Sequence, residues 1–167
     1  MLQISELSGR HDRKSFDCGR PELNRYLQEI AGQHTRKSLA RVYVGCTIGD
    51  PARILAFYSL NGCEVASEDL PEPIRKKFPD RIPAVRLGRL AVDRACQSKG
   101  LGEQMLFHAM WNVSQVERII GGVAMLVDAK DDRSKRFYQK YGFLELPDRP
   151  LNLFLPIDRV RELAAKA

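Results

Sequence analysis

Residues 84–110, AVRLGRLAVDRACQSKGLGEQMLFHAM, decide the fold. An alternating apolar run, AVRLGRLAVD, reads as a strand, and Gly102 to about Val116 is amphipathic at helical spacing. Between them lies Gln97-Ser98-Lys99-Gly100-Leu101-Gly102. Glycines here let main-chain N–H groups turn inward, and the start of the helix adds roughly half a positive charge. Together they form a cradle for phosphate or pyrophosphate. No Gly-Lys-Ser/Thr follows, so the loop is not a P-loop, and the glycine spacing is not that of a dinucleotide fold. Taken alone, the pattern also fits an ordinary tight turn.

Working outward, MLQISEL (1–7) predicts a first strand. DCGRPELNRYLQEIAGQH (17–34) predicts a helix with Pro21 in its first turn, Leu23, Leu27 and Ile30 on one face, and Gly32 at its end. LARVYVGCTI (39–48) and RILAFYSLNGCEVA (53–66) predict an antiparallel pair. The proline-edged LPEPIRKKFPDRIP (70–83) leaves room for one short helix in a loop. Downstream, GVAMLVDA (122–129) reads as a buried strand and DDRSKRFYQKY (131–141) as a helix stopped by Gly142. LNLFLPI (151–157) closes the sheet, and DRVRELAAKA (158–167) forms a last helix with Asp158 as cap. Two strand–helix–strand units within an otherwise antiparallel sheet give one α/β domain over residues 1–167, a mixed, mostly antiparallel sheet flanked by helices.

Composition narrows the class. With 167 residues, 44% hydrophobic and 29% charged, the chain is that of a globular domain rather than a disordered one. No apolar run approaches the roughly 20 residues of a membrane span, and the N-terminal stretch lacks a signal-peptide core, so a cytoplasmic protein without membrane association is expected. Cys18, Cys46, Cys63 and Cys96 are far apart and form no Cys-x-x-Cys pair; reduced thiols and no metal site are expected. The net charge is +6, and most of it sits in residues 71–100, where eight Lys/Arg face only Glu72, Asp80 and Asp93. Such a focus suits a polyanionic partner or a solvated loop.

The glycine loop at 97–102, followed about thirty residues later by the helix from Asp131 to Tyr141 and by Gly142-Phe143, resembles the GCN5-related N-acetyltransferases, the GNAT superfamily. The resemblance implies that Gln97, Ser98, Lys99, Gly100, Leu101 and Gly102 grip the pyrophosphate of acetyl-CoA. It further implies that Leu90, Ala91 and Val92 pair with the pantetheine arm, that Asp131 and Phe137 lie at the cofactor, and that Tyr138 protonates the departing thiolate. Asp131 stands where many of that family have asparagine, and Ser134 where they have alanine. Tyr138 also fits a core aromatic at helical spacing with Phe137 and Tyr141, and Tyr141 competes for the acid role. Direct acyl transfer needs neither metal nor enzyme nucleophile; Cys96 has no histidine close in sequence to activate it. Of the other chemistry-bearing side chains, His34 and His108 receive no role and Trp111 is expected in the core.

The acceptor is narrowed by an absence of acid. The strand before the loop carries Arg86 and Arg89 and no carboxylate until Asp93. A lysine amine, with a pKa near 10.4, needs a general base far more than an α-amine near 7.7–8.0. FDCGRPELNRYL (16–27), the proline-edged insertion and AKDDRSKRFYQKYGF (129–143) together look like the GNAT toxins of type II toxin–antitoxin modules. That likeness implies acetylation of the α-amine of aminoacyl-tRNA, arrest of translation, neutralisation by a ribbon-helix-helix antitoxin and a homodimer. Arg36, Lys37, Arg41, Arg75, Lys76, Lys77, Arg86 and Arg89 are the expected tRNA contacts. The alternative is a GNAT enzyme acting on a small-molecule or protein amine.

Overall fold

The computed structural model describes residues 1–167. The chain opens with β1 (Leu2–Glu6), then α1 (Pro21–Arg25), a π-helical turn over Tyr26–Ile30 and α2 (Ala31–Arg36). Next come β2 (Arg41–Thr47), β3 (Ala56–Ala66), the short α3 (Glu72–Arg75) and β4 (Arg81–Val92). The remainder is α4 (Leu101–Ile120), β5 (Ala124–Asp128), α5 (Asp132–Gln139), β6 (Leu144–Leu146), β7 (Arg149–Pro156) and α6 (Ile157–Ala164). Seven strands are ordered β1-β2-β3-β4-β5-β7-β6. β1–β2, β2–β3, β5–β7 and β6–β7 pair antiparallel, whereas β4–β5 pairs parallel across the α4 crossover. No helix is long and apolar enough to cross a membrane.

Contacts cluster the chain into two compact units, Met1–Asn61 with Gly88–Ala109, and Gly62–Leu87 with Met110–Ala167. In the first, alternation on β2 buries Val42, Val44 and Cys46 against Phe57, Phe16 and the helical Leu23, Tyr26, Leu27 and Ala31. Phe16 meets Phe57 edge-on at 5.4 Å, within the range favoured by aromatic pairs. In the second, Val65, Leu70, Ile82, Ala84, Leu126, Leu146 and Phe154 form the core. Ile74 and Phe78, from the proline-edged insertion, pack on it.

Several expected boundaries moved for local reasons. Gly32 does not end the first helix. That helix continues to Arg36 and closes at Ser38, whose φ of 57° lets Leu39 N–H donate to His34 O at 2.9 Å and Ser38 N–H to Thr35 O at 3.1 Å. Gly142, with φ of 96°, stops α5 as expected, through Phe143 N–H to Tyr138 O and Gly142 N–H to Gln139 O. Asp158 is not a cap. Pro156 holds the cap position of α6, and Asp158 lies in the first turn, accepting from Arg161 Nη1 at 3.0 Å. β6 was not foreseen, because three residues beside a turn carry no period of their own. Trp111 is 48% exposed rather than in the core.

Two histidines of the first unit resist protonation. His11 is buried, and its Nδ1 accepts from Ser8 N–H at 3.0 Å; burial, then Arg10, holds its pKa below the usual imidazole value. Burial likewise lowers His108, whose Nδ1 lies 2.7 Å from Tyr58 Oη. The folded state binds these protons less readily than the unfolded chain, whose histidines titrate near 6.5. Stability is therefore full above that value and falls as pH drops below it. Urea midpoints measured at pH 7 and at pH 5 should decrease on acidification, and less so in a His108→Gln variant.

Candidate active site

The glycine loop lies in the first unit and is tied down where it leaves β4. Asp93, 7% exposed, follows β4; its carboxylate accepts from Ala95 N–H at 3.0 Å and Asp17 N–H at 3.2 Å. Gln97 folds back, its side-chain amide donating to Val92 O at 2.9 Å and Cys18 O at 3.0 Å. Its side chain thus braces the loop. Ser98 and Gly100 both have left-handed backbone, φ 62° and 78°, either side of Lys99. Alternation of this kind turns main-chain N–H groups into one concavity. α4 begins at once, with Gln104 N–H donating to Gly100 O at 3.2 Å, and its first amides have no intrahelical acceptor. A Cβ at Gly100 would meet nothing within 4 Å, so the loop is open above that residue. Leu101 and Gly102 are half-buried in the first turn; Leu90 and Val92 are half-buried on β4, and Ala91 is buried.

Gly100→Val tests the loop alone. With open space at the Cβ, the cost is backbone strain of about 1–3 kcal/mol. Calorimetry should show CoA binding at least about tenfold weaker, and the same strain should lower the thermal midpoint by roughly 2–10 °C while the fold is kept.

The tyrosine helix lies in the second unit. β5 ends at Asp128, and α5 begins at Asp132 with Asp131 as its cap, one carboxylate oxygen accepting from Ser134 N–H at 2.8 Å. Asp131 therefore serves its own helix with that oxygen. Tyr138 is 6% exposed, its ring edge-on to Phe137 at 5.2 Å and Phe143 at 5.5 Å. Burial, and then the negative charge of Asp128, pushes its phenol well above the usual tyrosine value. The hydroxyl stays protonated throughout the physiological range. Phe137 is half-buried, 5.4 Å from the Tyr141 ring.

A third group escaped the sequence reading. Arg86 Nη1 donates to both carboxylate oxygens of Asp128, at 2.8 and 2.7 Å, and Asn152 Nδ2 donates to Oδ1. Strand register brings Asp128 opposite Asn152. The available signal was a carboxylate ending an otherwise apolar strand, AMLVD. The pairing alters the expectation for Arg86, whose charge is matched by Asp128. Arg89, in the first unit, stacks 3.7 Å above the Tyr26 ring, and Tyr26 Oη lies 3.2 Å from His34 Nδ1. Of the remaining basic residues, Arg36, Lys37 and Arg41 are exposed at the end of α2 and start of β2. Arg75, Lys76 and Lys77 are exposed at α3, with Lys76 paired to Glu72 at 3.3 Å.

A family model for an acetyltransferase (GNAT) domain matches residues 66–145. Over 157 residues the chain is 36% identical to the tRNA-acetylating toxin of Mycobacterium tuberculosis, covering 94% of this chain and 93% of that protein. The chain belongs to the GNAT acetyltransferase family. This GNAT chain is also 30% identical to a probable toxin, TacT, of Sinorhizobium fredii, over 92% of its length and 90% of the relative's. Among solved structures, AtaT complexed with acetyl-methionyl-tRNAfMet matches with a TM-score of 0.90 and 31% identity, over 98% of this chain and 99% of AtaT. A mutant of KacT matches with a TM-score of 0.91 and 31% identity, over 97% and 98%. The acetyl donor of GNAT enzymes is acetyl-CoA. The donor set fits its pyrophosphate, because the loop combines two positive-φ residues, open space above Gly100 and the positive end of a 20-residue helix.

Proposed function

We propose that this GNAT enzyme transfers acetyl from acetyl-CoA to the α-amine of aminoacyl-tRNA, blocking translation as the toxin of a type II toxin–antitoxin pair. Similarity along nearly the whole chain to proteins named for tRNA acetylation carries the reading. The amine attacks the thioester carbonyl, a C–N bond forms, and the C–S bond breaks as the tetrahedral intermediate collapses. Main-chain amides suit the developing oxyanion, and Val92 N–H is the candidate donor. Tyr138 gives its phenolic proton to the departing thiolate, whose ordinary pKa is near 8.5 for a cysteine-like thiol. The amine proton passes to solvent; an α-amine, unprotonated in part near neutrality, needs no strong enzyme base. Residues 1–167 act as one catalytic domain, in the cytoplasm and as a homodimer, and a ribbon-helix-helix antitoxin neutralises it. The complexes of AtaT with the antitoxin AtaR support a protein antitoxin here.

Purified protein given labelled acetyl-CoA and a total charged-tRNA pool should place label on the RNA, removable with the aminoacyl ester. Label confined to polyamines, antibiotics or protein would overturn the reading in favour of a small-molecule or protein acetyltransferase.

A further inference from the structure

The second unit holds a cavity of about 160 Å³ beside Asp128. An engineered apolar cavity of about 150 Å³ accommodates benzene, so this space suits a body of six or so heavy atoms. Its apolar wall includes Val65, Leu126, Leu146 and Leu153. Three arginines, three carboxylates and Asn152 supply its polar lining, and each carboxylate has its own arginine. Arg86 holds Asp128 at 2.7 Å, Arg81 lies 3.4 Å from Glu64, and Arg149 lies 4.0 Å from Asp69. The lining is polar yet carries no net charge.

We propose that this cavity seats the amino-acid side chain of the aminoacyl acceptor, that Asp128 accepts a hydrogen bond from the α-amine, and that the site selects uncharged side chains. The proposal rests on aminoacyl-tRNA being the substrate. Asp128 joins the cavity to the chemistry, because it ends β5, four residues before α5 begins, and its charge reaches the Tyr138 phenol. Its carboxylate is oriented by Arg86 from β4 and Asn152 from β7, so these two are positioning residues. A cationic side chain entering the cavity would have to draw a carboxylate from its arginine. An anionic one would have to draw an arginine from its carboxylate. The cost falls mainly at Arg86–Asp128, which is half-buried, where an exchange gives up one ion pair to form another and strips water from the incoming charge; the other two pairs are largely open to solvent. An uncharged side chain meets the apolar wall without that cost.

One tRNA body, acylated in turn with glycine, leucine, methionine, lysine and glutamate by an acylating ribozyme, tests the proposal. Leucyl and methionyl forms should exceed lysyl and glutamyl forms in kcat/KM by at least about tenfold. Arg149→Ala, at an exposed position, leaves Asp69 without that partner and should narrow the methionyl-to-lysyl ratio at least about threefold. Asp128→Asn should raise KM for aminoacyl-tRNA while the Kd for CoA, measured by calorimetry, stays unchanged. Equal kcat/KM across the series, with KM unmoved in Asp128→Asn, overturns the cavity assignment and leaves the tRNA reading standing. Absence of label on every charged tRNA overturns both.

Discussion

Tyr138→Phe should lower kcat by about 10²–10⁴-fold, the range contributed by a positioned general acid, while the Kd for acetyl-CoA stays within about twofold. The ring is enclosed by Phe137 and Phe143, and phenylalanine retains those edge-on contacts, so the change removes one hydroxyl from a packed site. A residue serving only the core would show the opposite pattern, a shifted thermal midpoint with turnover preserved. The raised phenol pKa adds a signature: burial and Asp128 keep Tyr138 protonated, so wild-type kcat should show no decline attributable to its ionisation below the ordinary tyrosine value near 10. The rise of activity with pH should instead follow deprotonation of the acceptor α-amine, below the 7.7–8.0 of an ordinary α-amine because the ester withdraws electrons. Unchanged turnover in Tyr138→Phe would remove the assigned acid, and Tyr141→Phe would be the next variant to measure.

Raising monovalent salt from about 50 to 200 mM should increase KM for aminoacyl-tRNA by about 10²–10³-fold with kcat little changed. The size follows from six exposed cations, Arg36, Lys37, Arg41, Arg75, Lys76 and Lys77, each releasing condensed counterions when it neutralises a phosphate. Slopes of about 0.7–0.9 per contact give a log–log dependence of roughly four to five. Arg86 and Arg89 are left out of that count, one held half-buried against Asp128 and the other stacked on Tyr26, whereas Lys76 and its partner Glu72 are both open to solvent. Reversing Arg75, Lys76 and Lys77 to glutamate should lower the slope by at least about two, without loss of fold, since their side chains face solvent. A KM insensitive to salt would argue against these cations as phosphate contacts.

Legibility followed period and punctuation. Helix α4 and strands β2, β3, β5 and β7 were readable because their apolar spacing runs for a turn or more, or alternates cleanly. Gly142 was readable as a stop because its φ of 96° favours glycine. The end of the first helix was not, because Ser38 takes a left-handed conformation that serine seldom adopts. Of the candidate site residues, the glycine loop and the helix of Tyr138 were visible as local motifs. The roles of Gln97 and Asp131 within it were not. Gln97 braces Cys18 O across 79 positions, and Asp131 turns a carboxylate oxygen to its own helix. The triad of Arg86, Asp128 and Asn152 was hidden for the same reason, since three strands distant in sequence meet only through register.

The ties made by Asp93 and Gln97 bear on how the donor arrives. Held from the segment before α1 as well as from β4, the loop has its path set by hydrogen bonds made within the chain itself. Much of the ordering entropy of binding has therefore been spent already during folding. Acetyl-CoA should dock onto a rigid seat, and most of the change in affinity among donor analogues should surface as residence time rather than as speed of capture.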